Sequence, residues 1–241
     1  MTSSGNLNIV LENDRIVSLN KPSGLLSVPD RFDANLPSLK KLLRDRYGEI
    51  FVVHRLDRET SGLILFAKDE ETHRYFSKVF EEHQIEKTYL GIVHGTPLQV
   101  EGTIDKPIAE HGTIKGKMII HKRGKPSITH YRVLDNFGSY TLMEFKIESG
   151  RTHQIRVHMQ DLGHPIVCDP LYGLGEPIFL SKIKKNFKLS KKEEEERPLL
   201  GRLALHSFRL EFVEPQGNKI RLEAEMPKDL FATIQQLKKR H

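Results

Sequence analysis

In two stretches of this chain apolar side chains alternate with charged ones at a period of two, and this rhythm narrows the possible folds most. Met143, Phe145 and Ile147 alternate with Glu144, Lys146 and Glu148, and Ile220, Leu222 and Ala224 alternate with Arg221, Glu223 and Glu225. Successive strand residues point to opposite faces, so each stretch predicts a strand with one face on a core and the other in water. Two short apolar runs between Ile9 and Leu19 flank Asn13-Asp14, a turn signal that predicts a hairpin. Leu63 to Ala67, Thr88 to Val93 and Leu203 to Phe212 read as further strands, and from Ile128 onward strands dominate. Helical spacing is confined to four places: Leu36 to Leu43, with Pro37 near the start and Gly48 as the stop; Tyr75 to Phe80; Ile155, Met159 and Leu162 before Gly163; and Leu230, Ile234 and Leu237. Strand runs joined by short turns, with few helices between them, predict an α+β protein with a mixed, largely antiparallel sheet and flanking helices.

A chain of 241 residues is expected to form one catalytic domain, 1–241, without internal repeats. Lys and Arg outnumber Asp and Glu by 38 to 32, giving +6 and a pI near 9.3, which favours polyanionic partners through phosphate contacts. The one cysteine, Cys168, excludes an internal disulfide and a thiolate cluster for zinc, and reads as a small residue in a packed turn. No apolar stretch approaches the roughly 20 residues that span a bilayer, and no basic region followed by an apolar run opens the chain, so a cytoplasmic location is expected. A nucleotide-binding glycine motif is absent too, and neither a cofactor nor a metal is expected.

Six lysines, Lys182, Lys184, Lys185, Lys188, Lys191 and Lys192, crowd just before Glu193 to Glu196. A solvated insertion at about 181–198 is the simpler expectation. The capping-box spacing of Ser190 and Glu193 leaves open a short helix presenting those lysines on one side, where they would extend an RNA-binding surface.

The densest reactive cluster is His54-Arg55-Leu56-Asp57-Arg58-Glu59-Thr60-Ser61-Gly62, lodged between Val53 and the apolar Leu63-Ile64-Leu65-Phe66. A polar run wedged between strand-like stretches must find partners or face a cleft. A second cluster, Gly150-Arg151-Thr152-His153-Gln154-Ile155-Arg156, follows a strand and opens a helix. Thr152 is expected to cap that helix and place Arg151 at its entry, where free N–H groups and the dipole favour a phosphate or a carboxylate. His153 and His158 lack the glutamate of the zinc-protease pattern and read as hydrogen-bonding or core histidines.

Together with Lys68, the segment His54 to Leu63 resembles the catalytic motif of the RluA-type pseudouridine synthases. Lys21-Pro22-Ser23-Gly24 resembles the first motif of that family, Lys87-Thr88-Tyr89 its central lysine-x-tyrosine, and Gly150 to Arg156 its third. Lys117-Met118, Gly124-Lys125-Pro126 and Thr129-His130-Tyr131 fit its RNA-gripping loop region. These matches run in family order from about Ile9 to Phe212.

The resemblance implies the pseudouridine synthase fold, two lobes with a catalytic cleft between them, and a reaction in which uracil leaves the anomeric carbon, turns, and rejoins through ring carbon 5. It implies Asp57 as catalytic carboxylate, Tyr89 against the target base and Arg151 paired with Asp57. A carboxylate in a dry pocket is opposed by burial, and a fixed arginine counters this because it cannot lose its charge. The target base must leave its stack; Arg55 either braces the vacated space or makes a salt bridge within its own loop. His54, Lys21, Lys87, Lys117, Lys125 and His153 complete the expected RNA-binding set. With almost nothing before the first strand, the small RNA-binding domain often fused there is expected to be absent, and the catalytic domain itself to grip ribosomal and/or transfer RNA as a monomer without an obligatory protein partner.

Two other readings compete. A nucleoside or glycoside hydrolase would also place an aspartate near an anomeric carbon, but needs a second carboxylate ~5–10 Å away, for which Glu59 is the nearest candidate in sequence. A non-catalytic RNA-binding protein would need only the basic residues, whereas Asp57, Tyr89 and Arg151 occur together.

Overall fold

The computed structural model describes residues 7–33, 35–184, 187–189 and 195–239. It divides into two compact units, Met1–Tyr89 with His206–Glu225, and Leu90–Leu205 with Met226–His241. The fold class is α+β, as the alternation predicts.

In the first unit, β1 (Ile9–Glu12) and β2 (Ile16–Lys21) form the expected antiparallel hairpin. The Asn13 side-chain oxygen holds its turn by accepting from the N–H groups of Arg15 (3.0 Å) and Ile16 (2.8 Å). After α1 (Leu39–Tyr47) come the two-residue β3 (Phe51–Val52) and then β4 (Ser61–Ala67), which pairs antiparallel with β2 from Ile16↔Ala67 to Lys21↔Gly62. Every residue of β4 is buried, which explains why Leu63 to Phe66 run apolar without alternating: both faces are covered. Helix α2 (Glu70–Glu81) starts at Asp69, whose carboxylate accepts from the Thr72 N–H at 2.8 Å, and packs Phe76 and Val79 onto Leu63, Leu65 and Leu210. Strand β5 (Glu86–His94) begins in this unit, and Tyr89 is the unit's last residue before the chain enters the other. Strand β11 (Leu205–Val213) returns parallel to β4, and β12 (Lys219–Glu223) pairs antiparallel with β11. The strand order is β1-β2-β4-β11-β5. Pro37, expected near the start of this helix, lies one residue before the α1 cap, Ser38.

The second unit orders its strands β5-β10-β9-β6, from β6 (Glu101–Asp105), β9 (Ile128–Asn136) and β10 (Tyr140–Ile147). Alternation in β10 holds from Met143 to Ile147 and fails at Thr141-Leu142-Met143, all buried, where a register shift between Leu142 and Met143 marks a bulge. A small hairpin, β7 (Ile108–Glu110) and β8 (Met118–Ile120), stands apart from that sheet. Helix α3 (Gln154–Asp161) follows β10, and α4 (Leu180–Ile183) and α5 (Lys228–Lys238) complete the unit. Arg202 ties the start of α5 through paired 2.7 Å hydrogen bonds to the two Asp229 oxygens. Cys168 is buried in a turn at φ 57°, and burial pushes its thiol up to about 11. None of the described helices is long and apolar enough to cross a membrane.

Part of the lysine-rich insertion is described. Lys182 lies in α4 with its ammonium 3.6 Å from Glu176, and Lys182, Lys184 and Lys188 are exposed. Lys185, Ser190, Lys191, Lys192 and Glu193, on which the capped-helix alternative rests, lie outside the described residues.

The parallel contact between β4 and β11 depends on a missing side chain. Gly62 has φ +113°, and a Cβ there would lie 2.1 Å from the Ser207 carbonyl oxygen. Gly62→Ala is expected to destabilise by about 3 kcal/mol or more, since neither backbone can yield. Gly24, at φ +85° with nothing within 4 Å of its would-be Cβ, serves as control. Gly24→Ala is expected to cost only about 1 kcal/mol of conformational strain. Urea denaturation of the two variants checks this, and equal midpoints would contradict it.

Candidate active site

Asp57 sits in the loop between β3 and β4, a segment without strand or helix of its own, and the preceding loop supplies its support. The buried Ser27 hydroxyl grips Leu56 from both sides: it accepts from the Leu56 N–H (3.1 Å) and donates to the Leu56 carbonyl (2.9 Å). On the other side of Asp57, the Gly24 N–H donates to the Arg58 carbonyl (2.9 Å) and the Arg58 Nε returns a bond to the Gly24 carbonyl (3.0 Å). The Ser23 hydroxyl donates to the Glu59 carbonyl (2.7 Å), and the Thr60 N–H closes the turn on the Asp57 carbonyl (3.2 Å). A half-buried carboxylate is thereby held at a backbone fixed on both flanks.

Lys21 was expected at the RNA, and its position corrects this. It is 0% exposed, and its ammonium donates to the carbonyls of Pro22 (3.0 Å), Leu25 (2.9 Å) and Arg58 (2.9 Å). An ammonium taken from water must be met by such acceptors, so Lys21 knits the two loops together instead of presenting charge to solvent. Lys87 is also buried, with its ammonium 5.9 Å from the Phe80 ring, and is placed to set the local field and not to meet a phosphate on the surface. His54 is likewise engaged in the fold: its ring stacks on Phe80 at 4.6 Å, and its Nε2 accepts from the Leu65 N–H at 2.9 Å. Arg55 differs from these three, being exposed, and among the described residues it forms no ion pair within its loop.

Tyr89 is 8% exposed at the end of the first unit's share of β5. Burial pushes its phenol well above the ordinary 10; the nearby Ser207 hydroxyl opposes this, and the negative charge of Asp57 adds to it. Among the described residues the fully buried Ser207 hydroxyl has no hydrogen-bond partner at ordinary geometry. Tyr89 therefore stays protonated, able to donate a hydrogen bond and unsuited to act as a base. Glu59, the second carboxylate a hydrolase would use, has its oxygens 3.3 Å from the Ser23 hydroxyl and 3.7 Å from the Arg58 Nε.

In the second unit Arg151 is half-buried, and its Nε donates to the Pro126 carbonyl at 3.3 Å. The expected Thr152 cap is not there. His153 holds the N-cap position in left-handed backbone at φ 56°, without a side-chain cap, and the buried Gln154 amide organises the turn instead. Its oxygen accepts from the Ser149 hydroxyl (2.7 Å) and the Arg151 N–H (3.1 Å), while its nitrogen donates to the Ile128 carbonyl (2.8 Å) and the Thr129 hydroxyl (3.1 Å). Because Gln154 reaches back across the turn, a hydroxyl at Thr152 is not needed there. The Tyr172 hydroxyl accepts from the Met118 N–H (2.7 Å) and meets His153 Nδ1 at 2.8 Å. The Arg156 guanidinium lies 5.0 Å from the Tyr172 ring and pairs with the wholly buried Asp169 through 2.7 and 2.9 Å bonds. His158 is a core histidine, bonded to the Thr129 hydroxyl and the Lys106 carbonyl.

Lys117 is half-buried with its ammonium 5.8 Å from the Tyr172 ring, and Lys125 is exposed while its backbone pairs in both directions with Ile108. With Lys115, Lys122 and Arg123 they give the segment around the β7–β8 hairpin five cationic residues within eleven positions, 115–125. Among the described residues no group of three His, Cys, Asp or Glu side chains is placed to hold a metal ion. Ser27, Gln154 and Tyr172 were not singled out from sequence: nothing in the identity of a serine, glutamine or tyrosine reveals that it will bond to a segment brought beside it by the fold.

Residues 15–161 match the family described as RNA pseudouridylate synthase. The chain is 33% identical over 238 residues to the ribosomal large subunit pseudouridine synthase D of Nitrosomonas europaea, covering 96% of this chain and 65% of that protein. It is 37% identical over 219 residues to the dual-specificity RNA pseudouridine synthase RluA of Vibrio vulnificus, covering 88% of this chain and 80% of that one. Among solved structures, human RNA pseudouridylate synthase domain containing 1 superposes with a TM-score of 0.70 at 29% identity, over 94% of this chain and 86% of that one.

The His54 geometry has a consequence for stability. Burial, with Lys87 adding to it, lowers the folded-state pKa of His54 from 6.5 to about 3, so the folded protein binds that proton less readily than the unfolded chain. Its contribution is complete above pH 6.5 and is lost as pH falls from 6.5 towards 3. His94 and His158 are shifted in the same direction by burial and add to the slope. In His54→Gln, which keeps an acceptor for Leu65, the dependence of unfolding free energy on pH below 6 is expected to weaken by up to about one proton. Denaturation between pH 4.5 and 7 measures it, and an unchanged slope would contradict the assignment.

Proposed function

Since this chain belongs to the RNA pseudouridylate synthase family, whose members are isomerases, and has the pseudouridine synthase fold, we propose that it isomerises specific uridines of structured RNA, ribosomal and/or transfer RNA, to pseudouridine with Asp57 as the catalytic carboxylate. The observation that carries this reading is the fixing of Asp57: an acid in an irregular loop whose backbone is bonded at Leu56, Arg58 and Glu59 to the loop of Lys21 to Ser27. Catalysis by a single carboxylate at a sugar carbon rests on placement more than on strength of acid or base, and a backbone held on both sides supplies it.

In this reading the glycosidic C–N bond breaks, the uracil turns, and a C–C bond forms from ring carbon 5, whose proton is released while N1 takes one up. The overall composition is unchanged. Tyr89, kept protonated by burial, donates a hydrogen bond to the base and takes no proton from it. Arg151 is the cation we assign to counter the charge of Asp57, and the exposed Arg55 the side chain that braces the space left by the extruded base. The two units act as one catalytic domain, a monomer in the cytoplasm that needs no obligatory protein partner. Lys117, Lys125 and their basic neighbours grip the RNA backbone, with His153 fixed beside them through Tyr172. The six lysines of the insertion are a second candidate for phosphate binding.

Asp57→Asn preserves shape and removes charge. Turnover on unmodified ribosomal RNA transcripts is expected to fall below detection while RNA affinity stays within about tenfold of the wild type. Pseudouridine formation by a clean Asp57→Asn preparation would overturn the mechanism. Replacing Lys117, Lys122, Arg123 and Lys125 one at a time by glutamine is expected to reduce the slope of log affinity against log salt by about 0.7–0.9 wherever the replaced side chain pairs with a phosphate, without changing which uridine is modified. Unaltered slopes would remove the hairpin from the RNA interface.

A further inference from the structure

Phe32 is 81% exposed, whereas Phe66, Phe76 and Phe145 are 0% exposed. A single exposed apolar side chain is ordinary, so exposure alone decides nothing. What sets Phe32 apart is how it is held, and where. The Asp30 carboxylate accepts from the N–H groups of Phe32 (2.8 Å) and Asp33 (3.1 Å), and the Asp33 carboxylate accepts from the Asn35 N–H (2.9 Å). Two successive side-chain turns thus shape the backbone that carries the ring, which presents it to solvent and not to the core.

The segment between Ser27 and Ser38 is pinned shut at its base. Leu26 bridges Ser38, the Leu39 N–H donates to the Leu26 carbonyl (2.8 Å), and the Lys40 N–H donates to the Ser27 carbonyl (3.2 Å). It is a closed surface loop, a form in which binding residues are commonly displayed. The residue at its base, Ser27, is the one whose hydroxyl clamps Leu56 next to Asp57. An exposed arginine, Arg31, precedes the ring.

Building on the RNA-modifying reading, we propose that Phe32 is a stacking platform for an unpaired nucleobase of the RNA substrate. The chemistry is that of an aromatic face against a base, indifferent to base identity because every base has a π-face, with Arg31 beside it for the adjoining phosphate. The target base leaves its helix for catalysis, and its neighbours are then without a stacking partner. A fixed aromatic on a loop tied to the Asp57 backbone replaces such a partner without choosing the sequence.

The chain contains no tryptophan, which makes the test direct. The probe is a stem-loop cut from around a uridine that the wild-type enzyme modifies in an unmodified ribosomal RNA transcript. Phe32→Trp is expected to bind it as the wild type does, with its single-tryptophan emission quenched on binding. Phe32→Ala and Phe32→Leu are both expected to weaken affinity about tenfold at unchanged salt slope, because they remove a neutral π-stack and leave every phosphate pairing in place. Arg31→Gln should instead lower the slope. Thermal melts of all variants should match the wild type, as the ring is exposed. Wild-type affinity in Phe32→Ala, wild-type affinity in Phe32→Leu, or emission of Phe32→Trp unchanged at saturating RNA would each overturn the proposal while the functional reading stood. A wild-type chain that modified no uridine in the transcript would instead bring down that reading, and this proposal with it.

Discussion

The Ser27 hydroxyl both receives the Leu56 N–H and returns a bond to the Leu56 carbonyl, doing for one residue of an irregular loop what a neighbouring strand does for a residue of a sheet. The placement of Asp57 rests on that exchange and on the bonds made on its far side at Arg58 and Glu59. Backbone that belongs to no strand or helix still has donors and acceptors that must be met when buried, and here the loop from Lys21 to Ser27 meets them. The rigidity of the segment around Asp57 is therefore borrowed from a loop about thirty residues earlier in the chain.

The same economy explains the two buried lysines. A positive charge removed from water is costly unless compensated, and Lys21 is compensated by three carbonyls that point inward because the loops curve around it. Lys87, next to the Phe80 ring, contributes a field that discourages protonation of His54 and keeps the imidazole an acceptor for the Leu65 N–H within β4. In the second unit the Arg156–Asp169 pair, also buried, sets the edge on which Tyr172 links the β7–β8 hairpin to the entry of α3. Polar groups inside this protein act as joints between elements that share no sheet.

Elements whose signal lies within a few residues were legible in the sequence. The alternation in β10 and β12, the Asn13-Asp14 turn, the buried run of β4 and the stop at Gly48 each follow from local periodicity or backbone preference, and the structure has them. The strands β6, β7 and β8 are short and carry no clear period, so they exist by virtue of their partners and were not foreseen. The candidate site divides in the same way. Motif resemblance supplied Asp57, Tyr89 and Arg151 and the side chains expected to contact RNA alike, and a motif says nothing of how deeply each side chain is buried. Charge does not reveal that Lys21 faces three carbonyls or that His54 accepts a strand N–H, since both depend on how the backbone curves around each side chain. The expected Thr152 cap failed for a related reason: the adjacent Gln154 had a longer reach.

The absent side chain at Gly62 also governs how the sheet comes together. Ser61 and His206, neighbours across the parallel β4–β11 pair, are separated by 145 positions in the chain, so their pairing closes one of the longest loops in the molecule. Parallel strands offer evenly spaced hydrogen bonds, and by that criterion a pairing slipped by one residue would look nearly as good. A residue with a side chain cannot, however, take the conformation that Gly62 holds there, at φ +113° with the Ser207 carbonyl 2.1 Å from a would-be Cβ, so a slipped pairing gives up that close approach. The glycine works as a key: the one position without a side chain marks the register in which two strands far apart in the chain come closest.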